Sequence, residues 1–277
     1  MTEFLTVAGG TIAYEVTGEG PLVVLAHGIG NSRAAHRFVV PPLLAAGYRV
    51  AAVDLRGCGE SSAVWESYTR TDIAGDLIAL VRHLGGPAVL VGHSISGGAA
   101  TIAAAREPEL IAGIVELTPF TRKQSINLGD LRVKRFRQGM LRLLGNSLLG
   151  SVRLWKSYLG VAFPGGKPAD WAADLDRIEA MLSEPGRMKA LQRMGQSAPV
   201  DAGAQLANVR CPALIVEGTL DPDWADPRAE GEAIVAAMPA GLARLEMIEG
   251  AGHYPHVQYP DEVVALVFAF LRETARA

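Results

Sequence analysis

From the amino terminus, the chain alternates short apolar runs with longer stretches in which apolar residues recur every three or four positions. "FLTV" and "TIAYEVT" (residues 11–17), separated by Gly9-Gly10, predict a β-hairpin. "LVVLA" (residues 22–26) is apolar throughout and stops at His27-Gly28, as a strand buried on both faces does. The same style returns at residues 48–54, 88–92, 111–117, 213–218 and 242–250. Helical patterns occupy residues 33–45, 69–84, 96–106, 227–238 and 260–274. This alternation predicts an α/β fold, a mainly parallel eight-stranded sheet flanked by helices.

One interval departs from the rhythm. Residues 121–206 show no strand pattern and are rich in Leu, Met, Trp and basic side chains. Breaks at Pro164-Gly165-Gly166 and Pro185-Gly186 divide them into three or four helices. The interval is too long for an ordinary loop, and long insertions commonly serve as lids or binding elements. The expected organisation is a core of residues 1–120 and 207–277 with a helical cap, residues 121–206, inserted after the sixth strand. No internal repeat or low-complexity tract is evident.

Composition narrows the function classes. The chain has 277 residues, 49% of them hydrophobic, enough for one large domain carrying an insertion. A net charge of −3 argues against a general nucleic-acid binder. Cys58 and Cys211 lie far apart and supply neither a disulfide framework nor a metal cluster, as expected of reduced thiols in a cytoplasmic protein. "MTEFLTVAGG" lacks a basic and then apolar leader, and no apolar run approaches the ~18–20 residues of a membrane span, so no stable membrane insertion is expected. The oligomeric state is left open.

The chemistry is concentrated at strand ends. "VLVGHSISGG" (residues 89–98) reads as strand, tight turn and helix start, with Ser94 at the tip. It is nearly the G-x-S-x-G elbow, except that Ser96 takes the fifth place and glycine follows at Gly97. A serine hydroxyl is a poor nucleophile without a base, an orienting group and oxyanion donors. His253, in "EGAGHYPH" after the last strand, is the candidate base, with His256 its nearest rival. Asp221, in "VEGTLDPDW", is the candidate acid; Asp223 and Asp226 look like a solvated turn and a helix start, and Glu116 is a further alternative. "AHGIGNS" (residues 26–32) offers the Ile29 backbone N–H to an oxyanion, paired with that of Ile95. His27 is read as a structural tie between loops. Asp54 and Arg56 are read as holding the turn "DLRGCGES", and Cys58 in that turn is not read as a nucleophile.

The order Ser94, Asp221, His253, behind the His27-Gly28 loop, resembles the α/β-hydrolase superfamily over nearly the whole chain. The resemblance implies nucleophile, acid and base roles for these three residues. Dehalogenases and typical epoxide hydrolases of that superfamily carry aspartate where this chain has Ser94. Serine at position 96 is similar to the elbow of karrikin and strigolactone receptor-hydrolases and some bacterial relatives. The reading is therefore a cofactor-independent, metal-independent serine hydrolase acting through an acyl-enzyme on a carboxylic ester or related acyl compound. Alternatives are a carbon–carbon bond hydrolase, lyase or perhydrolase on the same groups, and a slow-turnover ligand receptor.

Charge then colours the expected substrate. Residues 121–160 carry nine Lys or Arg against the single acid Asp130, on a chain that is otherwise acidic. Leucines and aromatics interleave with those charges in a roughly amphipathic pattern. The basic groups read as a solvated outer face or, in the sharper version, as an attraction for an anionic substrate or carrier. The partner expected is a small, apolar molecule, in that version an anionic one.

Overall fold

The computed structural model describes residues 1–274, and in it the apolar runs become one eight-stranded sheet. The strands are β1 (Glu3–Val7), β2 (Gly10–Thr17), β3 (Leu22–Ala26), β4 (Arg49–Val53), β5 (Ala88–His93), β6 (Ile111–Leu117), β7 (Ala213–Gly218) and β8 (Ala243–Ile248). Their order is β1-β2-β4-β3-β5-β6-β7-β8. β2 pairs antiparallel with β1 and with β4, and all other neighbours run parallel.

Helices α1 (Val40–Ala45), α2 (Arg70–His83) and α3 (Ile95–Arg106) connect the strands up to β6. Between β6 and β7 lie α4 (Lys134–Leu149), α5 (Val152–Ala162), α6 (Trp171–Ser183), α7 (Arg187–Gln196) and the short α8 (Val200–Gly203). α9 (Pro227–Ala237), the short α10 (Pro255–Gln258) and α11 (Pro260–Thr274) complete the described chain. Among the described residues, no helix is long and apolar enough to cross a membrane.

Period-two alternation explains why the central strands are apolar on every residue. Val24, Leu90, Ile114 and Ile215 form one core with Ile73, Leu77 and Ile102 from α2 and α3. Their sequence neighbours Val23, Leu25, Val91, Val115 and Val216 point to the opposite face, where Leu43 of α1 and Val267 and Phe270 of α11 cover them. A third cluster joins Trp155, Tyr158, Leu159, Ile178 and Leu191 of the inserted helices to Tyr254 and Val257 beyond β8.

The sequence pattern extended one helix over residues 33–45, but the structure breaks it into a single 3-10 turn, Arg33–His36, and α1. Pro41 and Pro42 explain the break. Neither can donate the backbone hydrogen bond that a helix running through from Arg33 requires, whereas the first turn of a new helix tolerates both.

The topology fixes where a ligand would sit. From β3 the chain moves outward to β4, then passes back to add β5 and β6 on the other side. The carboxyl ends of β3 and β5 flank this reversal, the place where open α/β sheets form their crevice. The loop carrying Ile29 leaves one of those ends and the turn carrying Ser94 leaves the other.

Candidate active site

β5 delivers Ser94 with φ 55° and ψ −116°, a conformation that an L-residue holds at a cost of about 1–3 kcal/mol. Neighbouring backbone over-determines it. The Ser94 N–H donates to Leu117 O at 3.0 Å, and Ser94 O accepts from Gly97 N–H at 3.0 Å and Phe120 N–H at 3.1 Å. Position 92 must be glycine, because a Cβ there would collide with the Ser96 carbonyl. At position 96 a side chain is accepted and used. Ser96 is fully buried, and its hydroxyl donates to His27 O at 2.5 Å, tying α3 to the β3 loop.

Asp221 and His253 are brought together. His253 Nδ1–H donates to Asp221 Oδ2 at 2.8 Å, and Asp223 N–H occupies Asp221 Oδ1 at 2.8 Å. The His253 backbone is fixed from three sides. Its N–H donates to Ala162 O at 2.9 Å, and its carbonyl accepts from Thr118 Oγ1 at 2.9 Å and His93 Nε2 at 2.7 Å. Burial opposes a charge on His253, but the carboxylates of Asp221 and Asp223 outweigh it and hold its pKa up at about 9.

Asp223 requires a correction. It is not a solvated turn residue but a buried one, with Oδ2 3.4 Å from His253 Nδ1 and accepting from Tyr158 OH at 2.7 Å. Burial first, and then Asp221, raise its pKa to about 6 against the pull of His253. Asp223 therefore acts electrostatically on the same imidazole as Asp221. Proximity in sequence to the end of β7 was the signal available for it, and that signal suited Asp221 equally.

The other rivals are occupied elsewhere. Asp226 caps α9 through Ala229 N–H at 3.1 Å. Glu116 is buried between the hydroxyls of Thr101 and Thr121, with its pKa pushed up to about 7 by burial. His256 is buried against the rings of His36 and His93, at centroid distances of 5.2 and 4.7 Å. His27 ties loops as expected: Leu55 N–H donates to its Nε2 at 3.1 Å and its Nδ1–H donates to Gly28 O at 2.6 Å. Arg56 pairs with Asp76 at 2.8 Å, and burial pushes the Cys58 thiol up to about 12, which removes it as a nucleophile.

Ser94, Ile29, Ile95, His253 and Asp223 line one cavity of about 450 Å³ between the sheet edge and the inserted helices. Most of its wall is apolar, from Phe136, Met140, Trp155, Leu191 and Met194. Among the described residues, neither the Ile29 nor the Ile95 backbone N–H donates a hydrogen bond, and no hydrogen bond joins Ser94 Oγ to His253. Contacts between nucleophile and base commonly tighten only around a bound substrate.

The model of the alpha/beta hydrolase family matches residues 23–266. The chain belongs to that family, and it is an enzyme. It is 26% identical over 278 residues to 2-(acetamidomethylene)succinate hydrolase of Mesorhizobium japonicum, covering 94% of this chain and 91% of that protein. Among solved structures, it is similar to a thermophilic esterase from Thermogutta terrifontis, with TM-score 0.75, 25% identity and 99% of each chain covered. The enol-lactonase from Burkholderia xenovorans shares its fold, with TM-score 0.78 and 21% identity over 98% of this chain and 100% of that one.

Proposed function

We propose that this member of the family is a serine hydrolase that cleaves a carboxylic ester or related acyl compound through an acyl-enzyme. The observation that carries the reading is the buried Asp221–His253 hydrogen bond at the rim of a cavity shared with a strained Ser94. With Nδ1 committed to Asp221, the free Nε2 of His253 takes the hydroxyl proton as Ser94 Oγ attacks the carbonyl carbon. The backbone N–H groups of Ile29 and Ile95 stabilise the oxyanion. His253 returns the proton to the departing alcohol, and water, activated by the same imidazole, releases the acid. Asp221 keeps the imidazole in the required tautomer and stabilises its charged form. Helices α4 to α7, within residues 121–206, form the cap of a core made from residues 1–120 and 207–277, and they shape the acyl pocket.

The test is covalent labelling with a fluorophosphonate followed by peptide mapping, together with turnover of 4-nitrophenyl esters. The label is expected on Ser94, and Ser94→Ala is expected to lose both label and turnover while melting as the wild type does. Wild-type turnover by a folded Ser94→Ala protein would refute the assignment.

A further inference from the structure

Among the described residues, three arginines are buried, Arg56, Arg70 and Arg187. Arg56 pairs with Asp76 at 2.8 Å and Arg187 with Glu184 at 3.2 Å. Among the described residues, Arg70 has no carboxylate within ion-pair distance. Its Nε–H donates to Phe120 O at 2.7 Å and one Nη1–H donates to Ser197 O at 2.8 Å. Both acceptors are neutral carbonyls, and three of the five guanidinium N–H groups are left over. The nearby carboxylate of Asp201 is turned to α2, where it accepts from Thr71 N–H and Thr71 Oγ1, each at 3.0 Å.

Arg70 also lines the cavity that holds Ser94 and His253. Its stem crosses α3 at Gly98, where a Cβ would lie 2.8 Å from Arg70 Cδ. Gly98 stands four residues after Ser94, about one helical turn. The missing side chain at position 98 leaves room for that stem and equally for the Phe120 carbonyl, which would lie 2.8 Å from the same Cβ. Asp201 favours the Arg70 charge only from beyond ion-pair distance, so its burial still costs free energy, a cost that an anionic ligand would offset. The carboxylate already lining the cavity, Asp223, is committed to Tyr158 and stands beside His253. Burial lowers the Arg70 pKa only to about 10, so the side chain stays cationic at neutral pH.

We propose that Arg70 is an anion-recognition residue of the substrate cavity, and that the substrate carries a free carboxylate or comparable anion in addition to its scissile acyl group. The proposal rests on the hydrolase reading and names the substrate class for it. Most of the basic residues between positions 121 and 160 are engaged elsewhere, and one shares the cavity wall with Arg70. Arg122 is paired with Glu230 and Lys156 with Glu179, Arg135 and Arg137 donate to backbone carbonyls, and Lys123 is the member of that group lining the cavity.

Two ester pairs test it on wild type and Arg70→Gln. In one, 4-nitrophenyl hydrogen glutarate and 4-nitrophenyl pentanoate differ by a carboxylate on the acyl side. In the other, 4-carboxyphenyl acetate and phenyl acetate differ by one on the leaving group. The wild type is expected to favour the anionic member of one pair, and in Arg70→Gln that kcat/KM ratio is expected to fall about 10- to 100-fold. Arg70→Lys should fall between them, since it keeps the charge and loses the fork. A variant that lowers both members of each pair in proportion, leaving the ratios unchanged, would show Arg70 to be a structural strut only. Calorimetric titration of glutarate and of 4-hydroxybenzoate into Ser94→Ala, with and without Arg70→Lys, reads the site without turnover. It therefore separates failure of the hydrolase reading from failure of this one, and it serves if Arg70→Gln does not fold. Absence of binding by either anion, with no anionic preference in either wild-type pair, would overturn the proposal.

Discussion

The carboxyl edge of the sheet and the helices inserted after β6 meet across one cavity, yet they are built on opposite terms. At the sheet edge nearly every side chain is buried and held by more than one partner: Asp221 by two donors, the His253 backbone by three contacts, Ser94 by its own strained backbone. Across the cavity, α4 buries Phe136 but leaves Leu141, Leu144, Leu148 and Leu149 more than half exposed. The first region fixes atoms to a fraction of an ångström, as chemistry requires, and the second fixes volume and polarity. Substitutions should therefore fall in two classes, large at the edge and small on the outer helices.

The largest effect belongs to Asp221→Asn. The side chain keeps its shape but leaves His253 in the wrong tautomer and without the carboxylate bonded to Nδ1, and kcat is expected to fall about 10⁴-fold with the melting temperature little changed. Steady-state kinetics on a 4-nitrophenyl ester measures it. A loss under tenfold would mean that Asp223, 3.4 Å from the same nitrogen, can take over the role.

Next in size is acid lability of the sheet edge. His27, His36, His93 and His256 are buried, and burial lowers their pKa values, to about 4 for His27, about 3 for His36 and well below the ordinary value for the other two. Below about pH 6.5 the unfolded chain binds protons that these residues refuse, so stability falls as pH drops, by up to about 1.4 kcal/mol per unit for each. His253 has the opposite sign. Its raised pKa contributes stability that is fully present below pH 6.5 and lost as pH rises through about 9. The buried carboxyls of Glu116 and Asp223, raised to about 7 and about 6, hold protons in the folded state over the same range and offset part of this loss, so the contribution of one histidine is read by difference: from pH 6.5 to 5 the melting temperature of His36→Phe should change in a more favourable direction than that of the wild type. Equal slopes in the two proteins would refute that account.

Much of this was readable in the sequence, and what was not has a physical cause. Apolar runs place all eight strands and the ends that carry Ser94, Asp221 and His253, most clearly in the centre of the sheet, where a doubly covered strand leaves little freedom of composition. The split at Pro41-Pro42 was equally available in local chemistry and was hidden by apolar spacing that continued through it. Asp223 and Arg70 were illegible for a different reason. Their burial depends on α5 and on the turns at Phe120 and Ser197, which come from distant parts of the chain. No spacing rule announces that a charged residue in a turn or at a helix start will be enclosed. Gly98 is equally silent in the sequence, since the Arg70 stem and the Phe120 carbonyl that require it come from other parts of the chain.

Ser96→Ala comes next. Loss of its bond to His27 O leaves a buried carbonyl short of a donor, at about 1–3 kcal/mol. Because that bond anchors the loop carrying Ile29, kcat should fall several-fold along with the melting temperature, whereas wild-type stability and turnover in Ser96→Ala would imply a purely steric site. Smaller again is Asp223→Asn. Removing one of two carboxylates that raise the His253 pKa leaves more neutral imidazole at pH 7, so the rising limb of the kcat/KM profile should move toward lower pH. Movement toward higher pH would reverse the sign assigned to Asp223.

The smallest effect is the one that most directly separates the two regions. Leu148 lies on the outer side of α4, is 73% exposed and does not line the cavity. A leucine that stays in water contributes almost none of the ~25 cal/mol per Å² that burial supplies, and glutamine is nearly its equal as a helix former. Leu148→Gln should therefore alter stability by less than about 0.5 kcal/mol and leave kcat/KM where it was, as surface changes do. Denaturant melts at two protein concentrations decide the matter. A loss above about 1 kcal/mol that grows with concentration would mean that a second copy of the chain covers this helix in solution. The inserted helices would then be set by an interface as strictly as the sheet edge is set by its hydrogen bonds.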